Sequence, residues 1–173
     1  DESKHALLWI VDFPMFEWSD EEERFMAMHH PFTSPCLDDL DKLDSGDLGH
    51  VKSVAYDIVY NGTELGGGSV RIHSPEVQKK IFKALKLTDE DVQRKFGFMV
   101  NALQYGTPPH AGLAIGLDRW IALLCRCESI RDVMAFPKNS AAKDLMCNAP
   151  TEADYKQLRE LYIKSTYNPA QHK

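Results

Sequence analysis

The spacing of hydrophobic and polar positions changes several times along the chain, and each change predicts an element. Residues 7–16, LLWIVDFPMF, are apolar and rich in strand formers; they read as a strand whose regular part ends at Pro14. Ser19 to Arg24 is a charged turn. Residues 36–50 are polar, with weak helical spacing at Leu37, Leu40 and Leu43, and read as a surface connection. AYDIVY at 55–60 alternates, Asn61-Gly62 is a strong hairpin signal, and TELGGGSVRIH runs back. The period then lengthens. Ser74-Pro75 opens a helix carrying Val77, Ile81, Ala84 and Leu85. Thr88 with Asp91 opens a second, whose face is Val92, Phe96, Met99, Val100 and Leu103 and whose end is Gly106. GLAIG at 112–116 predicts a short strand, LDRWIALLC at 117–125 a buried helix, and IRDVMAFP at 130–137 a strand closed by Pro137. Residues 151–164 predict a last amphipathic helix, and the tail 165–173 is expected to fray. Mixed elements without regular βαβ alternation predict an α+β fold, an antiparallel sheet flanked by helices.

Composition narrows the class. The 173 residues suit one domain, and 3 Trp, 6 Tyr and 8 Phe argue against disorder. A net charge of −6 argues against a generic nucleic-acid coat. That mean hides a split: residues 1–50 carry −10 and residues 51–173 carry +4. No apolar run approaches membrane-spanning length, and no basic leader marks the chain for secretion. Cys125 and Cys127 are two apart, Cys36 and Cys147 stand alone, and without a CxxC pair no zinc site is expected. Free buried thiols suit a reducing compartment.

Three segments carry candidate chemistry. A two-residue loop sets Val59 opposite Glu64 and Asp57 opposite position 66, so Asp57, Val59 and Glu64 share a face. Two carboxylates on one diagonal suit Mg²⁺, unless they are simply two solvated acids. Gly66, Gly67 and Gly68 mark either a bulge or a ligand lying on the backbone. Glu64 and Arg71 fall on opposite faces unless one extra residue intervenes, so a bulge in the glycine run is expected. Arg71 can then take a carboxylate with two hydrogen bonds; otherwise it is an ordinary surface arginine. In GLAIGLDR, Gly116 lets a ligand approach a helix start suited to phosphate. Asp118 is placed to cap that helix, and Arg119 is a fixed cation in its first turn. MHHPFTSP, residues 28–35, reads as an extended, mobile loop closing over a substrate, with His29 or His30 donating to an anion. The alternative is that the two histidines only bond within the loop.

Taken together, MHHPFTSP, AYDIVYNGTELGGGSVRIH, KFGFMVNALQYGTPPHAGLAIGLDRW and SIRDVMAFPK resemble the bacterial-type aspartyl group of class II aminoacyl-tRNA synthetases, over about Leu7 to Pro150. The resemblance implies part of a class II catalytic domain. It implies that ATP and L-aspartate form aspartyl-adenylate and pyrophosphate, and that the aspartyl group then passes to tRNA(Asp). It assigns Asp57 and Glu64 to Mg²⁺, and Glu64, Gly116, Leu117, Asp118 and Arg119 to ATP, with Arg119 on the γ-phosphate. It places the aspartate side-chain carboxylate on Arg71, with Ser69, His29 and His30 lining the pocket; Arg71 and Arg119 are the catalytic pair. It further implies a homodimeric full-length enzyme in the cytoplasm, or in an organelle if nuclear-encoded, with no membrane partner. The chain departs from the family in length. The expectation is that residues 1–173 are the C-terminal portion of the domain, residues 1–10 leaving an inserted domain. The chain would lack the first two class II motifs and be inactive alone. The competing readings are a non-catalytic ATP- and aspartate-binding paralogue, a scaffold module, and an asparaginyl-type synthetase.

Overall fold

In the computed structural model, which describes residues 4–166, the chain divides into two units, 1–120 and 121–173. The first unit carries the sheet. Strands β1 (Leu7–Val11), β4 (Ala55–Tyr60), β5 (Thr63–Val70) and β6 (Ala111–Ile115) lie side by side in the order β1-β4-β5-β6, every pair antiparallel. Between β1 and β4 comes a two-stranded ribbon, β2 (Phe16–Ser19) with β3 (Arg24–Ala27), and the short helix α1 (Leu40–Ser45). Helices α2 (Pro75–Ala84) and α3 (Asp89–Leu103) follow β5.

Local chemistry explains the boundaries. Asn61 and Gly62 both have positive φ, 45° and 84°, the twist that a tight two-residue hairpin needs. The Ser74 hydroxyl accepts from the Val77 N–H and Pro75 fills the first helical position. The Thr88 hydroxyl accepts from the Asp91 N–H at 3.1 Å and starts α3. The core joins Met15, Phe16, Val51, Ile72, Ile81 and Leu85, all buried, so α2 is held against the ribbon and the turn before β4. Phe82 of α2 and Phe96 of α3 stack at 5.6 Å and receive the edge of Phe32 from the histidine-bearing loop.

The helical spacing of residues 36–50 and the charged turn are both seen, each with more structure than expected, while other expectations need correction. Residues 36–50 hold α1 between two 3-10 turns, and Asp39 is buried, where its carboxylate accepts from Lys42 Nζ and the Lys52 N–H. The residues flanking the charged turn pair as β2 and β3. Helix α4 (Leu117–Leu124), which straddles the division, is not buried: Leu117 and Leu124 are 67% and 69% exposed, and Ala122 alone in it is buried. Apolar composition predicts what a surface prefers, not what stands opposite it. Residues 130–137 form no strand. The Ser129 hydroxyl accepts from the Arg131 N–H and starts a single 3-10 turn, Ile130–Asp132. The last helix, α5, covers only Tyr155–Glu160; Asp154 caps its start, and Tyr162 with φ of 55° follows its end. The thiols are not buried either: Cys125 and Cys147 are exposed, Cys36 and Cys127 half-buried. Of the expected frayed tail, residues 167–173 lie outside the described residues, as do residues 1–3 of the expected domain exit. No helix among the described residues is long and apolar enough to cross a membrane.

The expected bulge exists, one residue before the glycines. Val59 pairs with Glu64 but Ile58 with Gly66, so Leu65 is the extra residue, and Asp57 faces Gly67 rather than position 66. Leu65 is fully buried. Its carbonyl accepts from the Gly116 N–H at 2.9 Å and the Trp120 indole at 3.1 Å. The glycines leave no room for side chains. A Cβ at Gly66 would lie 2.6 Å from the Ala114 carbonyl oxygen, and one at Gly68 would overlap that of Gly112. Replacing Gly68 by Ala therefore forces β5 and β6 apart. The expected loss is about 1–3 kcal/mol of unfolding free energy, read by denaturant melts; an unchanged midpoint would contradict this packing.

Candidate functional site

The bulge decides which side chains meet. Across the antiparallel pair, residues opposite one another share a face. Asp57 therefore shares a face with Gly67, Val59 with Glu64, and Ala55 with Ser69. Because Leu65 is skipped, Glu64, Gly67, Ser69 and Arg71 follow one another on the face that also holds Asp57. A Cβ at Gly67 would overlap the Asp57 carboxylate, so glycine there leaves room for the acid. Gly66 and Gly68 serve the close approach of β6 instead.

At one end of this face lies the acidic pair. Asp57 is half-buried and Glu64 exposed. Burial raises the Asp57 pKa above the usual carboxylate value, the Glu64 charge adds to the rise, and His29 opposes it. Two carboxylates held together against their repulsion form a hard-oxygen donor set that fits a divalent cation. No cluster of three or more metal-ligating side chains occurs among the described residues, so a cation here would keep other ligands. Arg119, in the first turn of α4, reaches back to the same place. Its Nη1 donates to the Glu64 carbonyl oxygen at 2.8 Å and lies 3.6 Å from Glu64 Oε1. Gly116 is bound through its N–H to Leu65, and Leu117 and Asp118 are exposed beside Arg119.

At the other end, Arg71 meets the histidine loop. Arg71 Nη1 donates to His30 Nδ1 at 3.3 Å, and the Phe32 N–H donates to the same nitrogen at 3.2 Å. Two donors on Nδ1 require that nitrogen to be unprotonated, so His30 is neutral with its proton on Nε2. Its pKa is lowered, first by burial, then by Arg71 and His29. The Thr33 and Ser69 hydroxyls lie 3.4 Å apart beneath the loop. His29 is exposed and sits edge-on to Phe13, with ring centroids 5.0 Å apart. The loop expected to close over a substrate is tied down at several points in this structure. Ile72 N–H donates to the Phe32 carbonyl, Ser34 N–H to that of Val70, and the Gln78 amide to that of Pro31. These bonds tie the loop to the end of β5 and to α2. Beside Arg71 and His30 lies a cavity of about 680 Å³, also lined by Phe32, Gln78, Met99 and His110.

The structure thus assembles two neighbouring groups, Asp57–Glu64–Arg119 and Ser69–Arg71–His30, on one side of the sheet. Sequence reasoning missed three supports. The Tyr56 hydroxyl donates to the Gly112 carbonyl at 3.0 Å, Trp120 secures the bulge, and Gln78 holds the loop. Gln78 left a signal: it falls in the apolar stripe with Ile81, Phe82 and Leu85, where an amide is out of place.

Comparison with known proteins gives the setting. The model of the tRNA synthetases class II (D, K and N) matches residues 1–140. The aspartate–tRNA ligase of Porphyromonas gingivalis is 54% identical over 164 residues, covering 95% of this chain and 28% of the relative. The aspartate–tRNA(Asp/Asn) ligase of Trichodesmium erythraeum is 53% identical, covering 95% of this chain and 27% of the relative. Among solved structures, the aspartyl tRNA synthetase from Entamoeba histolytica superposes with a TM-score of 0.57 at 25% identity, covering 78% of this chain and 23% of that one. The chain thus spans little more than a quarter of the length of the curated relatives it matches.

The two titrating groups predict opposite pH behaviour. The His30 pKa is lower in the folded chain than the ordinary value near 6.5, so the unfolded chain takes up its proton first. Stability from this group is complete above pH ~6.5 and is lost as the pH falls through that value toward the folded pKa. Asp57 is raised, so its penalty grows as the pH climbs past the ordinary carboxylate range and is complete above the folded pKa. Asp57→Asn is therefore expected to raise the melting temperature at pH 7, with the gain vanishing near pH ~3. A lowered melting temperature at pH 7 would show that the acid pair is not repulsive.

Proposed function

Because the chain belongs to the class II tRNA synthetase family (D, K and N), we propose that it supplies one side of the aspartate-activating site of an aspartate–tRNA ligase. The observation that carries this reading is Arg71, half-buried and held by a neutral His30 on the same sheet face as the acidic pair. A guanidinium in that position pairs with a side-chain carboxylate through two parallel hydrogen bonds. It rejects the neutral amide of asparagine, which would leave the arginine charge unpaired. This favours aspartate over the asparaginyl alternative. Intact Arg71, Arg119, Asp57 and Glu64 favour an enzyme site over a scaffold or a non-catalytic paralogue.

In the proposed reaction an oxygen of the aspartate α-carboxylate attacks the α-phosphorus of ATP. A new P–O bond forms, the bond to the bridging oxygen breaks, and pyrophosphate leaves. The product is aspartyl-adenylate, whose aspartyl group then passes to the 3′ end of tRNA. Negative charge builds on the phosphates during attack. Arg119, fixed through the Glu64 carbonyl, supplies a cation toward the γ-phosphate, with Gly116, Leu117 and Asp118 beside it. Asp57 and Glu64 would hold Mg²⁺, which when bound shields the phosphate charge. Arg71, with Ser69, His29 and His30, holds aspartate by its side chain and leaves the α-carboxylate free to attack. No protein nucleophile takes part. ATP, L-aspartate and tRNA(Asp) are the proposed partners, the full-length protein a proposed homodimer of the cytoplasm. The segment alone holds one side of the site and is proposed to be inactive.

The test is aspartate-dependent pyrophosphate exchange. In the full-length protein that contains this segment, Arg71→Ala is expected to lower kcat/KM for aspartate by about 100-fold or more while the ATP KM changes little. Arg119→Ala should do the reverse, raising the ATP KM. The 173-residue chain alone should show no exchange above background. Exchange by the isolated chain at the full-length rate, or an Arg71→Ala variant that keeps its use of aspartate, would overturn the reading.

A further inference from the structure

Gln78 is the side chain whose chemistry its position least explains. It lies in the middle of α2, is 2% exposed, and shares a stripe with the buried Ile81, Phe82 and Leu85. Its Nε2 donates to the Pro31 carbonyl at 2.9 Å. Its Oε1 is buried and accepts no hydrogen bond from the described residues. The amide cannot flip to cure this, because flipping would set two oxygens against each other at Pro31. A buried acceptor without a donor costs about 1–3 kcal/mol, comparable to or larger than what the single bond to Pro31 contributes.

What the residue does have is reach to the site. Pro31 directly follows His29 and His30, and Gln78 lines the same cavity as His30 and Arg71. The loop is also tied before the histidines, where the Met28 N–H donates to the Met15 carbonyl, and after them at Phe32, whose carbonyl and ring face Ile72, Phe82 and Phe96. The bond from Gln78 is the hydrogen bond that ties the residue after the histidines to α2. The Pro31 carbonyl and the Phe32 N–H belong to one peptide, so the Gln78 bond fixes the plane from which that N–H donates to His30 Nδ1; without it the nitrogen that receives Arg71 loses part of its hold.

We propose that Gln78 is a positioning residue for amino-acid selection. By holding the Pro31 carbonyl it fixes His30, which in turn aims the Arg71 guanidinium. Gln78 touches no reacting atom, so its removal weakens aspartate binding and leaves ATP binding and the chemical step intact. This rests on the reading of Arg71 as the contact for the aspartate side chain.

The test uses the full-length protein with Gln78→Met, which keeps length and volume but not the donor. Gln78→Asn serves as a second variant, keeping the amide but falling short of Pro31. Pyrophosphate exchange is measured against aspartate and ATP separately, beside thermal melts. The expected result is a rise of roughly five- to tenfold in the aspartate KM, with the ATP KM and kcat nearly unchanged in a variant that the melts show to be folded at the assay temperature. An unchanged aspartate KM in either folded variant would overturn the proposal, as would equal rises for aspartate and ATP. Should Gln78→Met fail to fold, Gln78→Asn decides by the same criteria. The unsubstituted protein separates the two claims. If it activates aspartate and the variants match it, Gln78 is only structural; if it activates no aspartate, the functional reading fails and this one with it.

Discussion

The extra residue at Leu65 is the constraint on which the site depends. Side chains on a strand alternate, so one inserted residue moves everything beyond it to the other face. With Leu65 looped out of the pairing, Gly67, Ser69 and Arg71 come to the face of Asp57 and Glu64. Without it Arg71 and the acidic pair would lie on opposite sides of the sheet. The bulge is also well secured. Leu65 is fully buried, and its carbonyl takes hydrogen bonds from Gly116 and Trp120 at the start of α4. The element that carries Arg119 is therefore the one that locks the register bringing Arg71 into place. The two halves of the proposed site are coupled through one peptide.

Around that constraint the chain accepts local costs. Asp57 and Glu64 sit close enough for one to raise the other's pKa. Three successive glycines in β5 give up side-chain packing so that β6 and the Asp57 carboxylate can approach. Gln78 keeps a buried acceptor that takes no hydrogen bond from the described residues. Each departs from what stability alone would select, and all three border the face that holds Arg71. Departures that gather in one place are what a functional site leaves behind in an otherwise consistent fold. The rest of the first unit follows ordinary rules: a capped α2, a capped α3, and aromatic packing that joins them to the loop.

Features set by nearby residues were readable in the sequence. The Asn61-Gly62 turn, the Ser74-Pro75 and Thr88 starts, and the parity problem between Glu64 and Arg71 are all local, and all are seen in the structure. The bulge lies at Leu65, one residue before the glycines; a glycine run and a bulge look alike in sequence, and only the pairing partners across β4 distinguish Leu65 from Gly66. Burial of α4 and a strand at 130–137 are not legible for the opposite reason: each depends on a partner that composition does not name. The His30–Arg71 contact joins residues 41 apart, and the Gln78–Pro31 bond residues 47 apart. No spacing rule reaches that far. The residue types that make these contacts were visible in the sequence, and their partners were not.

The central claim is that Arg71, carried to the acid-bearing face by the Leu65 bulge, receives the side-chain carboxylate of aspartate. The most direct test is a crystal structure of the full-length protein with a non-hydrolysable aspartyl-adenylate mimic. The account predicts the aspartyl side-chain carboxylate paired with the Arg71 guanidinium, with His30 still accepting from Arg71 through Nδ1. A mimic bound with that carboxylate away from Arg71, against other cationic groups, would contradict it.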